Sequence, residues 1–307
     1  MKLWILVFLI LICGCTPDTE RFKMLRGMAD MQNGMFGEAT KAFSRVIELN
    51  PRNFEAYAYR GESYGAQKMD KQALADFNKA LELNPRYAEV YCDRAGLYLK
   101  DDKFDEAIID LNKAIEISPK MAFGYGLRGD AYGGKKEFEK ALADYTEGLR
   151  LNPKATVGYV SRGFMYSMLK RYPEAVADFT KALELDPNDY KLHLFRGNAL
   201  SSSGKYDEAV SDFSRAIKQN PDYFEAYIYR ANAYNKLSDV DKAFADCAQA
   251  LEIKPSDSLG YEMRAEVYAA KKQYDLAWQD VHKAQSMGAS VDPEFMQKLK
   301  LDSGREG

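Results

Sequence analysis

Prolines stand 34 residues apart along almost the whole chain. The series runs Pro17, Pro51, Pro85, Pro119, Pro153, Pro187, Pro221 and Pro255, and lapses only at Ala289. Arginine keeps the same period at Arg26, Arg60, Arg94, Arg128, Arg162, Arg196, Arg230 and Arg264. Alanine keeps it at Ala39, Ala73, Ala107, Ala141, Ala175, Ala209, Ala243 and Ala277. Registers that hold across eight periods without an insertion leave one kind of architecture open. It is a stack of like units, each burying its apolar face only against its neighbours.

The unit is clearest at 54–87, which defines positions 1 to 34. Tyr57, Arg60, Gly61 and Tyr64 fall at positions 4, 7, 8 and 11, and Ala73, Asp76, Phe77 and Ala80 at positions 20, 23, 24 and 27. Both sets follow the i, i+3, i+4, i+7 spacing of one helix face. The spacing therefore predicts two helices, A and B, folded antiparallel across a turn near position 15. Proline at position 32 ends helix B, because it drives the residue before it out of α geometry. Asp105, Asp207, Asp241 and Asp275 at position 18 suit the start of helix B. Pro173 occupies that slot without harm, since a first-turn residue has no intrahelical N–H bond to lose.

These features resemble the tetratricopeptide repeat (TPR) family. The resemblance covers Glu20 to about Val291, eight repeats, and is carried by the Tyr/Gly/Tyr, Ala/Phe/Ala and Pro positions. It implies an all-α fold, a right-handed α-solenoid of eight 34-residue helix hairpins, whose concave surface is lined mainly by positions 2, 5, 9, 12 and 13. The chain departs from the family pattern at position 7, which is normally apolar there and is arginine here.

The ends lie outside the grid. Lys2 precedes an apolar run from Leu3 to Ile12 that is too short to span a bilayer, which needs about 20 apolar residues. Ile12-Cys13-Gly14-Cys15 resembles a bacterial lipobox. On that reading 1–14 is a lipoprotein signal peptide, Cys15 carries the lipid, and 15–19 is a short tether to repeats spanning 20–291. Thr16 after the cysteine implies the outer membrane, facing the periplasm, if the cell has one. Repeat 1 is degenerate, as suits a terminal unit, and its Met24, Met28, Met31 and Met35 form a stripe that packs under the cap. Asp292-Pro293-Glu294 starts a C-terminal capping helix over 292–302, and 303–307 reads as a frayed tail.

Few residues invite chemistry. His193 stands at position 4, in a slot held by tyrosine in other repeats, and His282 has no ligand partner in metal spacing. Cys92 and Cys247 lie four repeats apart, too far for a disulfide. There is no Gly-rich phosphate loop and no nucleophile with a base in register, so no enzyme, no cofactor and no small-molecule substrate is expected. The formal net charge is −3 with no basic stripe, which disfavours nucleic acid.

The repeated charges point to structure. Asp76, Asp110, Asp144, Asp178, Asp212, Asp246 and Asp280 share position 23, level with position 7 across the hairpin. Both positions fall in apolar stripes, where an unpaired charge is expensive. Arg60, Arg94, Arg128, Arg162, Arg196, Arg230 and Arg264 are therefore expected to form structural ion pairs with them, within a hairpin or to its neighbour. Only Arg26 faces Ala42 instead.

Function is left to the groove positions. Val157, Val160, Phe164 and Met168 of repeat 5, Leu194 and Asn198 of repeat 6, and Ile228, Asn232 and Asn235 of repeat 7 give an apolar floor flanked by amides. Such a surface suits a peptide or helix segment of a protein partner. The expectation is a membrane-anchored, protein-binding scaffold or adaptor of the bacterial cell envelope. Self-assembly as a structural envelope protein, or a pilotin-type role in pilus or secretin assembly, are the alternatives.

Overall fold

The computed structural model describes residues 19–305 as helices and short turns, with no strand among the described residues. The expected signal peptide and Cys15 lie outside them, as does the tether up to Asp18. The chain divides into two compact units, Met1–Pro153 and Lys154–Gly307. The first contains four hairpins: α1 (Glu20–Gln32) with α2 (Phe36–Leu49), α3 (Phe54–Ala66) with α4 (Asp70–Leu83), α5 (Ala88–Lys100) with α6 (Phe104–Ile117), and α7 (Ala122–Gly134) with α8 (Phe138–Leu151). The second contains four more and a terminal helix: α9 (Thr156–Met168) with α10 (Tyr172–Leu185), α11 (Tyr190–Ser202) with α12 (Tyr206–Gln219), α13 (Phe224–Lys236) with α14 (Val240–Ile253), α15 (Ser258–Ala270) with α16 (Tyr274–Ser286), and α17 (Pro293–Ser303). Within each unit every B helix also packs on the A helix of the next repeat. The fold is an all-α repeat solenoid.

Proline acts where the spacing places it. The residues just before it, among them Asn84, Ser118 and Asn220, close helix B in extended geometry with φ of −137°, −131° and −137°. Repeat 8 has Ala289 instead of proline, and there Gly288 at φ +88° ends the helix in the left-handed conformation. The A–B turn is equally regular. Position 15 takes positive φ in every repeat, yet only Gly34 and Gly204 are glycines; Lys68, Asp102, Lys136, Lys170, Ser238 and Lys272 adopt it despite their side chains.

The position-18 aspartates lie inside the first turn of helix B and form no cap bond. They meet the macrodipole and also reach the following repeat: Asp241 pairs with Lys271 at 2.7 Å, and Asp105 with Lys135. Asp275 pairs at 2.7 Å with Arg305, beyond α17. The C-terminal end is therefore longer and more tied down than the frayed tail expected from 303. Ser303 is still helical and accepts from Trp278 Nε1 at 3.1 Å, while Gly304 closes the helix at φ +66°. Leu299, Phe295 and Met296 of α17 cover Trp278, Val281 and Ala284 of α16, which would otherwise face water. At the other end Met28 of the methionine stripe is exposed, and Met24, Met31 and Met35 are half-buried.

Candidate functional site

In repeats 2 to 8 the position-7 arginine enters its hairpin beside the position-23 aspartate of the same repeat. Arg128 donates from Nε to Asp144 Oδ2 at 2.8 Å and from Nη2 to Oδ1 at 2.7 Å. The same two-pronged pair, at 2.7–2.8 Å, joins Arg60 to Asp76, Arg94 to Asp110, Arg162 to Asp178, Arg196 to Asp212, Arg230 to Asp246 and Arg264 to Asp280. The aspartates are buried, and their hydrogen bonds hold the guanidinium of Arg128 above its ordinary pKa against the opposing effect of burial.

The third guanidinium prong crosses the repeat boundary to position 25. Arg94 and Arg128 donate to Asn78 and Asn112 at 2.6 Å, and Arg60, Arg196 and Arg230 to Ser44, Thr180 and Ser214 at 2.9–3.1 Å. Tyrosines at positions 4 and 11 flank the arginine face, as Tyr57 and Tyr64 do for Arg60 at 5.6 and 5.8 Å. Where these tyrosines flank the arginine, the charge is absorbed by the fold and is not offered to a ligand. Arg26, without an aspartate at position 23, lies 3.7 Å from Asp30 on its own helix.

The A-helix face of the second unit is divided by depth. Val157 and Met168 stand out, 77% and 61% exposed. Phe164 is 39% exposed, and its ring rests edge-on against Phe179 at 5.4 Å and Phe195 at 4.8 Å, so it is part packing and part surface. Val160 is half-buried and packs against the cluster of Ala175, Phe179 and Ala199. Asn198, Asn232 and Asn235 are half-buried.

Leu194 and Ile228 do not line this face, contrary to the sequence expectation. Both are buried, Leu194 beside Ala226 and Tyr229 of the next repeat, and Ile228 beside Met263 and Val267. Position 5 points at the following A helix, so a large residue there is consumed by repeat-to-repeat packing.

The A-helix face of the first unit has another character. Burial and then the neighbouring Glu62 and Glu89 push the Asp93 carboxyl up to about 7, and burial raises Glu62 as well. Phe123, at the same position 2 as Val157, is 61% exposed there. Sequence reading passed over Phe123, although its register was the available signal. The buried thiols Cys92 and Cys247 are free, and burial pushes both up to about 12, which makes them poor nucleophiles. His282 lies against the Trp278 ring at 5.7 Å. Among the described residues no cluster of ligating side chains could hold a metal ion, and no helix is long and apolar enough to cross a membrane.

Helix hairpins of fixed length, clasped by internal ion pairs and presenting varied A-helix positions, define a repeat scaffold. Models of the tetratricopeptide repeat match at 54–87, 157–189, 77–109, 124–154 and 194–258. The chain belongs to the tetratricopeptide repeat family, whose members bind protein partners. Among solved structures, YrrB, described as a TPR protein with an unusual peptide-binding site, is similar at 25% identity and TM-score 0.55, over 61% of this chain and 97% of that one. A tetratricopeptide repeat protein from Parabacteroides merdae is similar at 24% identity and TM-score 0.61, over 82% and 99%. Pseudomonas aeruginosa pilF follows at 18% identity and TM-score 0.62, over 69% and 97%. No curated protein sequence matches the chain.

Proposed function

We propose that this chain is a lipid-anchored adaptor of a bacterial cell envelope that captures a peptide or helix of a partner protein on the A-helix face of repeats 5 and 6. The observation that carries the reading is the apolar patch of Val157, Phe164 and Met168. Two of these side chains are mostly exposed, and the third has its ring half-tucked on Phe179 and Phe195. A contiguous exposed apolar patch on a rigid helical face marks an interaction site, and aromatic anchors dominate such interfaces. Asn198 and Asn232 bring amides that satisfy a peptide backbone beside the apolar contact. A peptide-binding relative such as YrrB lends the reading support.

The structure also decides which variants test it. Phe164→Glu strikes packing as well as surface, so it lowers both capture and melting temperature. Val157→Glu and Met168→Glu alter side chains that are largely in water. A photo-crosslinking residue placed at 161 in living cells should trap one dominant partner. Val157→Glu with Met168→Glu should cut that adduct at least about tenfold, equivalent to about 1.4 kcal/mol, with helical content and melting temperature unchanged. An undiminished adduct in that folded variant refutes the site.

The anchor rests on Lys2, the apolar run Leu3 to Ile12, and Ile12-Cys13-Gly14-Cys15. One acyl chain binds a membrane only marginally, so stable anchoring needs more than one. Labelled palmitate should enter the natural protein and not Cys15→Ala, which should leave the membrane fraction. Equal labelling of the two refutes the assignment, and loss in Cys13→Ala alone moves it.

A further inference from the structure

Among repeats 2 to 8, repeat 6 alone lacks both tyrosines that flank the position-7 arginine; the degenerate terminal repeat 1 has Lys23 and Asp30 there. At position 4, Tyr57, Tyr91, Tyr125, Tyr159, Tyr227 and Tyr261 lie 5.4–5.8 Å from the guanidinium of their repeat. At position 11, Tyr64, Tyr98, Tyr166, Tyr234 and Tyr268 lie 5.8–6.0 Å from it on the other side. Repeat 6 has His193 and Leu200 at these positions. His193 does not replace the ring's function. It is buried, and its Nδ1 turns to Asp212 Oδ1 at 3.2 Å.

Two pockets open where the rings are missing. One, of about 580 Å³, is bounded by His193, Pro187, Leu183 and Arg196, on the position-4 side. The other, of about 300 Å³, is bounded by Leu200, Val176 and Asp212, on the position-11 side. They share Thr180, Arg196 and Arg215. All three N–H prongs of Arg196 are engaged, by Asp212 and Thr180, so what it presents to the pockets is its flat cationic face. Glu184 and Glu208 also line the pockets, but each is paired, with Lys181 at 2.6 Å and Lys205 at 3.3 Å. Arg215 and Lys218 at the rim, by contrast, are exposed and form no ion pair among the described residues. The pockets lie between the B helices α10 and α12, over α11, and are separate from the A-helix patch.

We propose that this pair of pockets is a docking site for an aromatic side chain of a partner polypeptide, carried in an acidic segment. The other repeats identify the occupant, because the same cavity over the same arginine is filled there by a tyrosine ring of the chain itself. A ring supplied by another molecule meets apolar walls at Leu183, Pro187 and Val176 and a desolvated cation at its face. Acidic residues beside the ring meet Arg215 and Lys218, which steer and orient the segment. The volume falls within the range of pockets that take small ligands and anchoring side chains.

The probe is a pentapeptide, acetyl-Glu-Glu-Trp-Glu-Glu-amide, titrated into the full-length protein in detergent and followed by tryptophan fluorescence. Controls replace its tryptophan with leucine, or its glutamates with lysines. The tryptophan peptide should bind at least about tenfold more tightly than either control, as a desolvated cation–π contact and a charged rim together predict. His193→Tyr with Leu200→Tyr restores the rings found in other repeats. It should raise the melting temperature while abolishing peptide binding, and Arg215→Glu should weaken binding without changing the melting temperature.

Equal binding of leucine and tryptophan peptides reduces the site to a charged rim and overturns the proposal. So does binding that survives restored tyrosines in a stable variant, or a melting temperature that falls when the rings are restored. No binding of the tryptophan peptide up to about 1 mM, the weakest affinity worth calling recognition, also overturns it.

Discussion

Asp144→Leu should destabilise the fold by roughly 3–5 kcal/mol, the cost of leaving one partner of a buried ion pair alone. Arg128 would keep its charge with its side chain only 20% exposed, and lose two hydrogen bonds of 2.8 and 2.7 Å at once. Adding Arg128→Met should return part of that loss. The thioether chain keeps the apolar bulk of the arginine stem, and the uncompensated charge is gone, although the guanidinium contact with the Tyr125 ring is lost. Rescue will fall short of complete, because Asn112 loses the guanidinium bond that ties repeat 3 to repeat 4. Urea denaturation of the two single variants and the double gives the coupling energy, expected to exceed about 1 kcal/mol. Additive losses would show that Arg128 and Asp144 contribute independently, and the pair would then not be what clasps the hairpin. Because the pair is shielded from solvent, added salt should change the coupling little.

The 34-residue grid was enough to read the hairpins, their order and the pre-proline helix ends, because each follows from a residue type that has few alternatives. The Arg/Asp register was legible for the same reason, since two charges in an apolar stripe must be reconciled. Three features were not legible. The position-15 turn takes positive φ on lysine in half of the repeats, a residue that carries no turn signal, so only its approximate place could be inferred. The depth of position 5 depends on the side chains of the following repeat, so Leu194 and Ile228 looked like groove residues from one helix and are core when two are considered. The pockets of repeat 6 arise from an absence. His193 read as one aromatic replacing another, and Leu200 carried no signal of its own. The consequence emerges only when both gaps meet over Arg196.

A second expectation comes from a size exchange between positions 8 and 24. A Cβ added to Gly27, Gly61, Gly129, Gly163 or Gly197 would stand 2.6–2.9 Å from the ring of Phe43, Phe77, Tyr145, Phe179 or Phe213. Where position 8 is alanine, the residue opposite is smaller. Ala95 shares a core cluster with Leu111, Ala231 with Cys247, and Ala265 with Val281. Two routes to the same filled volume therefore coexist in one chain, which is what close packing with little tolerance for a methyl group requires. Gly61→Val should cost about 3 kcal/mol, the upper end for overpacking, because the Phe77 ring is buried and valine gains little helix propensity over glycine. Gly61→Ala alone should cost less, since its gain in helix propensity of about 1 kcal/mol offsets part of the clash. Phe77→Leu alone should lose stability by opening a void. The double variant Gly61→Ala with Phe77→Leu reproduces the Ala95/Leu111 pairing of the next repeat, and should lie within about 1 kcal/mol of the natural protein. Thermal and urea unfolding of the four proteins decide the matter. If Gly61→Val is tolerated as an exposed helix position would be, or if the losses of the double variant simply add, the ring at position 24 does not dictate the glycine at position 8.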